Sequence, residues 1–354
     1  MSQESAIITG VTGQDGSYLA ELLIREGYFV YGGIRRNSDF TTKRIDHLFN
    51  HSKFTSFNFD SCDSNSVCDI LSRAKPKFFF NLAALSHVGT SFDIPNYVAQ
   101  ADGLSVVALI ALIQRIAPDC VFYQASTSEL FGGAPGQEPQ DINTRFDPRS
   151  PYAVAKQMGF YSALNARRTG SLCTVNGILF NHESPRRGRT FVTKKITLHV
   201  ANLIKNKTNS SLKLGNLDAR RDWGYAPDYV EVMYESVLAP DRDVYICGTG
   251  KSITVREFCR MAFESQGLDL IFEGSGIEEK GYERATGRVL VEVSSKYFRP
   301  LDVEVLTAGK HGNLLLKRDY YGLEKIVSLM TDYDLKYDDY GGHEHGDRYS
   351  RFWR

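Results

Sequence analysis

The chain has 354 residues, of which 42% are hydrophobic and 24% are charged, and its formal net charge at pH 7 is zero. This length and composition allow a large hydrophobic core in one or two domains. The balanced charge excludes the basic footprint that is typical of nucleic-acid-binding proteins. Six cysteines without a Cys-x-x-Cys pair indicate a reducing compartment, not a disulfide scaffold.

The two ends of the chain carry no targeting or metal-binding pattern. The polar start, Met1-Ser2-Gln3-Glu4-Ser5, lacks the profile of a signal peptide, and no apolar run is expected to be long enough to cross a bilayer. His343-Glu344-His345 is not spaced like a helical zinc motif, so no metal is expected. We therefore expect a cytoplasmic protein without a membrane partner.

The first predicted element is a short apolar strand over residues 6–9, and a helix follows from about 17 to 26. Between them lies the run Gly10-Val11-Thr12-Gly13-Gln14-Asp15-Gly16. Glycines at such a turn let the backbone approach a pyrophosphate, and the helix N-terminus favours its negative charge. The arrangement predicts dinucleotide binding; the alternative is a glycine-rich turn without a ligand.

Strands and helices alternate through the first half of the chain. Strands are predicted over residues 28–34, about 54–59, 77–82 and 120–124, and helices over 97–116 and 151–168. Ser150 can cap the last of these helices, because its hydroxyl can accept from a free backbone N–H, and proline suits the first helical position. The alternation predicts an α/β fold with a Rossmann-type, doubly wound parallel sheet.

The regular alternation of strands and helices ends after residue 180. Helices are predicted at about 191–206, 228–238, 254–266 and 322–332, mixed with short strands. We therefore expect a dinucleotide-binding Rossmann domain over residues 1–180, to which a segment of about 220–250 returns. A smaller, intercalated C-terminal α/β substrate domain is expected over 181–340, followed by a tail over 341–354.

Tyr152 and Lys156 lie four residues apart on the helix predicted over 151–168, so they share one face. A nearby ammonium favours the phenolate form of a tyrosine, and such a phenol is a workable general base for a sugar hydroxyl. The alternative is an exposed aromatic ring beside a solvated lysine. The triplet Thr127-Ser128-Glu129, which lies between this pair and the glycine-rich turn, favours the catalytic interpretation.

Two further patterns concern the nucleotide. Arg35 and Arg36 stand at the end of the second predicted strand, where an arginine suits a 2′-phosphate, so NADP is expected and not NAD. The alternative for both is solvated surface charge. Asp60 and Asp63 follow the third predicted strand and could accept from an adenine amino group; the alternative is that they cap the next helix.

These residues resemble the extended short-chain dehydrogenase/reductase family. The resemblance rests on Gly10, Gly13, Gly16, Asn81-Leu82-Ala83-Ala84, Thr127, Tyr152 and Lys156. Longer runs are similar to the GDP-mannose 4,6-dehydratase family within it: Thr9 to Leu19, Arg44 to Leu48, Ser126 to Gly132, Asn181 to Gly188, Arg221-Asp222-Trp223-Gly224 and Tyr297-Phe298-Arg299-Pro300. The resemblance covers residues from about 5 to 305.

The resemblance implies loss of water from GDP-mannose to give GDP-4-keto-6-deoxymannose, with NADP as a recycled cofactor. It implies that Tyr152 takes the proton from O4 while Lys156 holds the phenolate and the nicotinamide ribose. Thr127 would bind O4, and Glu129 would remove the C5 proton and help to expel the C6 hydroxyl.

The resemblance also implies two binding sets. The cofactor set is Gly10, Thr12, Gly13, Gln14, Asp15, Gly16, Arg35, Arg36, Asp60, Asp63, Leu82, Ala83, Ala84, Tyr152, Lys156 and His182. The substrate set is Ser86, Asn181, Arg186, Val192, Lys195, Leu214, Gly215, Arg221, Arg299 and Asp302. A homotetramer is implied too, since in the family the loop matched by Arg35-Arg36-Asn37-Ser38 reaches the cofactor of a neighbouring subunit.

The chain departs from the family at a few positions. Leu85 stands where the family usually has glutamine, and Asp302 replaces a usual glutamate. Three alternatives stay open: an NADPH-dependent reductase of the 4-keto sugar, a dehydratase of another nucleotide sugar such as a GDP-heptose, and a non-catalytic NADP-binding protein. The last expects a broken Tyr/Lys/Thr set, whereas here the set is complete.

Overall fold

The computed structural model of the chain describes residues 3–38, 41–134, 136–206, 210–297, 303–318 and 320–337. Seven strands form one parallel sheet: β1 (Ser5–Thr9), β2 (Phe29–Ile34), β3 (Phe54–Asn58), β4 (Phe78–Asn81), β5 (Val121–Thr127), β6 (Thr174–Leu179) and β10 (Val244–Cys247). Their order is β10-β6-β5-β4-β1-β2-β3. The strand order changes direction between the neighbours β1 and β4: β2 and β3 follow on one side of β1, and β4, β5 and β6 follow on the other. The predicted doubly wound Rossmann-type sheet is therefore confirmed.

Helices cover both faces of this sheet. The helices of the described residues are α1 (Gln14–Arg25), α2 (Ser64–Ala74), α3 (Pro95–Val98), α4 (Ser105–Ile116), α5 (Pro151–Arg168), α6 (Val192–Asn206), α7 (Ala226–Leu238), α8 (Val255–Glu264) and α9 (Leu323–Lys336). Of these, α6, α8 and α9 pack on one another and on the smaller sheets described below. One buried cluster joins α1 and α7 to the sheet through residues such as Leu19, Leu23 and Met233. Another joins α2, α4 and α5 to the opposite face.

Two smaller sheets lie beyond β6. Strands β7 (Asn181–Glu183), β9 (Arg220–Tyr225), β11 (Ser252–Thr254) and β15 (Val305–Leu306) form one; β8 (Leu212–Leu214), β12 (Leu270–Glu273), β13 (Lys280–Glu283) and β14 (Val289–Val293) form the other. Their core contains Ile196, Trp223, Phe258 and Leu290. Within the returning segment, β10 joins the large sheet and α7 packs on α1, whereas β9 belongs to a small sheet.

The helix α5 spans the predicted range of 151–168, and Ser150 Oγ accepts from Ala153 N at 3.1 Å. The helix α1, in contrast, begins at Gln14, three residues before the predicted start. Gln14 is buried and its side chain is bound elsewhere in the fold. A tertiary contact of this kind leaves no trace in local periodicity.

The predicted helix over 97–116 is part of a longer one, Pro95–Ile116, in which α3 and α4 are joined by a π-helical segment over Ala99–Leu104. The expectation about apolar runs was wrong, because these 22 residues are long and apolar enough to cross a membrane by length and composition alone. Half of the most apolar stretch is buried inside the fold. The inner side packs on α2 and α5, which is how a core helix of a large domain also passes this test.

Candidate active site

A cavity of about 1000 Å³ opens where the carboxyl ends of β1, β4, β5 and β6 meet the segment that begins at Asn181. This edge of a doubly wound sheet is the usual ligand position, because the loops diverge at the topological switch point. Both small sheets also contribute lining residues, so the cavity lies between the two halves of the chain.

The glycine-rich turn forms one wall of the cavity. Gly10 has φ of 70°, and Gly13 N donates to Gly10 O at 2.9 Å. A Cβ atom on Gly16 would lie 2.3 Å from Gly10 O, so only glycine is accommodated there. No side chain caps the N-terminus of α1 at Gly13, which leaves its backbone N–H groups available to an anion. The turn therefore fits a pyrophosphate.

Two bonds join the start of α1 to the β7 segment, and a third fixes the His182 ring within its own segment. His182 Nε2 lies 2.9 Å from Asp15 Oδ2, and its Nδ1 lies 2.7 Å from Phe180 O. Gln14 Nε2 donates to His182 O at 3.0 Å. Burial alone would lower the pKa of His182, but the charge and hydrogen bond of Asp15 hold that pKa above its ordinary value.

The opposite wall carries Thr127, Tyr152 and Lys156. Tyr152 is 7% exposed and is hydrogen-bonded to the Thr127 side chain, and Lys156 Nζ donates to Ala125 O. The structure therefore brings together the three side chains that the sequence pattern linked, in a buried environment at the end of β5.

The charge state of Tyr152 differs from the sequence-based expectation. Burial raises the pKa of this phenol, the charges of Asp102 and Glu129 raise it further, and the Thr127 hydrogen bond and the Arg187 charge lower it. Burial likewise lowers the pKa of Lys156, while the Asp102 charge raises it. A lysine four residues away does not by itself give a phenolate here, because burial is the larger effect.

Glu129 lies in the short turn Ser128–Phe131 that follows β5. Its backbone N–H donates to Thr127 Oγ1 at 3.2 Å, and its side chain is 9% exposed and lines the cavity. Thr127 is thus the cap of the turn, whereas the Glu129 carboxyl group stands in the cavity with Tyr152. This position gives the site two groups that can transfer protons.

The predicted residues on the two sides mostly share this one cavity. On the cofactor side, Gly10, Thr12, Gly13, Gln14, Asp15, Gly16, Arg35, Leu82, Ala83, Ala84 and His182 line it. On the substrate side, Ser86, Asn181, Val192, Lys195, Leu214, Gly215 and Arg221 line it. Arg299 and Asp302 lie outside the described residues.

Arg186 does not line the cavity, so the structure does not place it with the other predicted substrate residues. Its side chain is fully buried: Nη1 donates to Ser17 Oγ at 3.0 Å, Nη2 donates to Glu21 Oε1 at 2.7 Å, and the guanidinium lies 3.9 Å from the centre of the Tyr18 ring. These contacts hold the guanidinium against α1. Arg186 therefore fastens its loop to α1.

Arg187 is one of the cavity residues that the predicted sets did not include. Its guanidinium lies over the Phe191 ring at 3.7 Å, and Nε is 3.1 Å from Glu183 Oε2. Oε1 of Glu183 is buried and has no hydrogen-bond partner among the described residues. The spacing of Glu183 and Arg187 was the available signal, because an acid four residues before an arginine in a buried loop can fix which of two arginines points inward.

Asp60 and Asp63 also lie outside the cavity, although their neighbours Phe59 and Ser61 line it. Asp60 accepts from Cys62 N at 2.9 Å. Asp63 caps α2 by accepting from the N–H groups of residues 65 and 66 at 3.2 Å. The structure therefore shows the capping role for Asp63, and the adenine assignment of the two carboxylates stays a prediction.

The two arginines after β2 occupy different places. Arg35 is exposed at the rim of the main cavity, and its Nη1 donates to the Tyr97 hydroxyl at 2.9 Å. Arg36 does not line the main cavity but lines a neighbouring surface cavity, to which Arg35, Lys43 and Arg73 also contribute. Among the described residues, no group of three or more His, Cys, Asp and Glu side chains could hold a metal ion, and the His343-Glu344-His345 run lies outside them.

The comparisons with known proteins agree with this geometry. The chain is 47% identical over 334 residues to GDP-mannose 4,6 dehydratase 2 of Caenorhabditis elegans, a match that covers 92% of this chain and 85% of the relative. It is 44% identical over 310 residues to GDP-mannose 4,6 dehydratase of Homo sapiens, covering 85% and 82%.

Solved structures show the same fold at low sequence identity. The UDP-glucose 4-epimerase of Thermus thermophilus in complex with NAD has a TM-score of 0.76 at 20% identity, covering 93% of this chain and 98% of that one. A family model described as GDP-mannose 4,6 dehydratase matches residues 7–317. The chain therefore belongs to the GDP-mannose 4,6-dehydratase family, a family of hydro-lyases.

Proposed function

We propose that this protein is an NADP-dependent hydro-lyase that converts GDP-D-mannose into GDP-4-dehydro-6-deoxy-D-mannose and water. One observation carries the proposal: Thr127, Glu129, Tyr152 and Lys156 lie in a single cavity with the glycine-rich turn. The chemistry needs a base for O4, a second acid/base group for the C5–C6 bond and a nucleotide cradle, and this cavity holds all three.

The first stage needs a proton acceptor at the sugar O4. The bound nicotinamide cofactor supplies the hydride acceptor for C4 and later the hydride donor for C6. Tyr152 takes the O4 proton, Thr127 binds the same oxygen, and Lys156 stabilises the phenolate by its positive charge. Because burial raises the pKa of Tyr152 in the free protein, the phenolate depends on nearby positive charge, which Lys156 and an oxidised nicotinamide ring would supply when the cofactor is bound.

The second stage needs a carboxyl group. The C4 ketone makes the C5 proton acidic, so Glu129 can remove it, and the same group can then protonate the departing C6 hydroxyl. An epimerase or a simple reductase does not need a carboxylate beside the C5–C6 bond. The position of Glu129 in the cavity therefore supports a dehydratase.

The substrate side of the cavity offers positive charge for a nucleoside diphosphate. Arg221 is 8% exposed, and Lys195 Nζ lies 3.6 Å from the centre of the Tyr297 ring. Both line the cavity together with Arg187. A guanidinium can bind phosphate oxygens through paired hydrogen bonds, so we assign the GDP diphosphate to this group of cations.

We assign the cofactor as NADP because Arg35 stands at the cavity rim after β2, where a 2′-phosphate would lie. The competing cofactor, NAD, lacks that phosphate. Isothermal titration of cofactor-free protein with each nucleotide tests the choice. We expect NADP to bind at least ten times more tightly, and Arg35→Ala to remove most of that preference; equal affinities would overturn it.

We also propose a homotetramer in the cytoplasm. The end of the π-helical segment and the exposed faces of α4 and α5 carry exposed apolar side chains: Leu104, Val107, Val154, Met158 and Tyr161. Such a contiguous patch marks an association surface. None of the six cysteines forms a disulfide, which supports a reducing compartment. Light scattering of purified protein, with Val154→Glu as the disrupting variant, tests the assembly.

The activity is tested by incubating the purified protein with GDP-mannose in deuterated water without added reductant, followed by mass spectrometry and NMR. We expect loss of one water, one deuterium at C5 and no net change in NADPH. Stoichiometric consumption of added NADPH would indicate the reductase instead. Unchanged GDP-mannose, from protein shown to bind NADP, would mean that the sugar is a different one.

A further inference from the structure

The long helix over Pro95–Ile116 changes its winding beside the catalytic pair. Its π-helical segment, Ala99–Leu104, packs against α5. A Cβ atom on Gly159 of α5 would lie 3.3 Å from Asp102 O, and one on Gly103 would lie 3.3 Å from Ala155 O. The two backbones therefore approach closely. Because π-helical turns re-aim the side chains they contain, the position of Asp102 in this one needs an explanation.

The Asp102 carboxyl group is 2% exposed and lines the cavity. Its Oδ1 accepts from Leu85 N at 2.8 Å. Its Oδ2 is buried and has no hydrogen-bond partner among the described residues. A buried carboxylate oxygen without a partner is costly, unless an opposite charge lies nearby. The cation that acts on this carboxyl group is Lys156.

Leu85 connects the same carboxyl group to the catalytic tyrosine. The Leu85 and Val88 side chains pack on a small buried cluster of Val98, Tyr152 and Ala155. The hydrogen bond from Leu85 N to Asp102 therefore fixes the segment that holds the tyrosine ring in place. Asp102 thus contacts this segment through Oδ1, while its buried Oδ2 accepts no hydrogen bond from the described residues.

We propose that Asp102 is a positioning residue for the Tyr152–Lys156 pair: its Oδ1 holds Leu85 against the tyrosine ring, and its negative charge is the counter-ion of the lysine. This inference rests on the proposed function, in which Tyr152 and Lys156 carry the proton transfer at O4. It adds Asp102 to the catalytic pair. The charge of Asp102 then influences the pH range in which Tyr152 and Lys156 have the protonation states that the reaction needs.

The charges around the pair define the expected signs. Burial lowers the pKa of Lys156 and the Asp102 charge raises it; burial raises the pKa of Tyr152 and the Asp102 charge raises it further. Loss of the Asp102 charge should therefore lower both pKa values. The other charges that act on Tyr152 are those of Glu129 and Arg187, which stay in place.

Neighbouring titratable groups on the adjoining segments have other partners. His87, on the Leu85 segment, accepts from Thr90 N at 3.2 Å. Tyr97, one turn before the π-helical segment, accepts from Arg35. Burial raises the pKa of Asp102 itself, and Lys156 and the Leu85 hydrogen bond lower it.

The decisive variant is Asp102→Asn, which keeps an oxygen for Leu85 N and removes the charge. We expect both limbs of the pH profile of kcat/KM to move to lower pH, by on the order of one unit. Ser105→Ala is the matched control, since it removes a buried hydrogen bond to Ala101 O in the same helix without changing a charge. Its limbs should stay where they are in the wild type.

A second readout does not depend on turnover. Competitive acetylation of the full-length protein across a pH series, read by mass spectrometry, gives the pKa of Lys156 directly. It should be lower in Asp102→Asn than in the wild type and unchanged in Ser105→Ala. If the wild type has no dehydratase activity, the proposed function is wrong, while this measurement still decides the role of Asp102.

Two outcomes would overturn the inference. One is a reduced rate in Asp102→Asn with both limbs unmoved, which is the result of a purely structural role. The other is an unchanged pKa of Lys156. Asp102→Ser is the second neutral variant in case the asparagine variant does not fold, and Asp102→Glu, which keeps the charge, should retain the wild-type limbs.

Discussion

Nε2 of His182 lies 2.9 Å from Oδ2 of Asp15, and this contact joins the first turn of α1 to the strand that leads into the substrate side of the cavity. The imidazole also stacks on the Tyr229 ring, with 4.4 Å between the ring centres. The pair is therefore both an element of the cofactor wall and a buried ionic contact between the two halves of the chain.

This contact predicts a pH-dependent loss of stability in Asp15→Asn. The pKa of His182 is raised in the folded protein, so its contribution is present below the unfolded value and is lost as pH rises through the folded value. The pKa of Asp15 is lowered, so its contribution is present above its unfolded value and is lost at lower pH. We expect a cost of roughly 1–3 kcal/mol between about pH 4 and 6.5.

Urea unfolding of cofactor-free wild type and Asp15→Asn at pH 5.5 and pH 9 measures this difference. The cost should be smaller at pH 9, where His182 is neutral. Equal costs at the two pH values would show that the contact stabilises the fold as a neutral hydrogen bond and not as an ion pair.

Glu129→Gln is predicted to separate the two stages of the reaction. An amide cannot accept the C5 proton, so deuterium uptake at C5 should stop, while hydride transfer from C4 continues. Overall turnover should fall by roughly 10²–10⁴-fold. Single-turnover absorbance at 340 nm reports the first stage, and NMR in deuterated water reports the second; normal uptake at C5 would remove Glu129 from this role.

Tyr152→Phe is predicted to block the first stage, which Glu129→Gln leaves intact. The ring still fills the buried cluster with Val98 and Ala155, but no hydroxyl remains to take the O4 proton. We expect kcat to fall by roughly 10²–10⁴-fold while the Kd for GDP-mannose, from titration calorimetry, changes little. Tyr161→Phe, on the same helix but half exposed, is the matched control and should leave kcat unchanged.

Arg186 and Arg187 offer a matched pair of neighbouring variants. Arg186→Lys loses the fork that binds Ser17 and Glu21 at once, so it should lower the unfolding free energy by about 2 kcal/mol. Arg187→Lys keeps a charge beside Glu183 but loses the paired hydrogen bonds to phosphate, so it should weaken ligand binding roughly tenfold. Denaturant unfolding and titration calorimetry on both variants check this; the opposite pattern would exchange the two assignments.

The Rossmann half was predictable because its determinants are local. A glycine turn between a strand and a helix, a capped helix beginning at Pro151 and a regular alternation of apolar strands are all visible in short windows of sequence. The bounds of α5 came out as predicted. Where a side chain is drawn into a distant contact, as for Gln14 at the start of α1, the local pattern gave the wrong boundary.

The site was only partly predictable for the same reason. The pair Tyr152 and Lys156 and the acid Glu129 lie in motifs of fixed spacing, whereas the direction of an arginine in an irregular loop depends on partners far along the chain. Arg186 points away from the cavity because Ser17 and Glu21 receive it. Likewise, the pKa of Tyr152 depends on burial, which spacing alone does not reveal.

One set of hydrogen bonds links α1 to the segment that begins with β7. Asp15 and Gln14 bond to His182, and Arg186 donates to Ser17 and Glu21. Separating the two halves of the chain would break these bonds and expose several buried polar groups at once. A dinucleotide bound between the two halves therefore has to leave through the mouth of the cavity, because separating the halves is the slower route. An enzyme that regenerates its nicotinamide nucleotide in every cycle does not need to release it. The nucleotide can therefore stay bound to the folded protein through many turnovers.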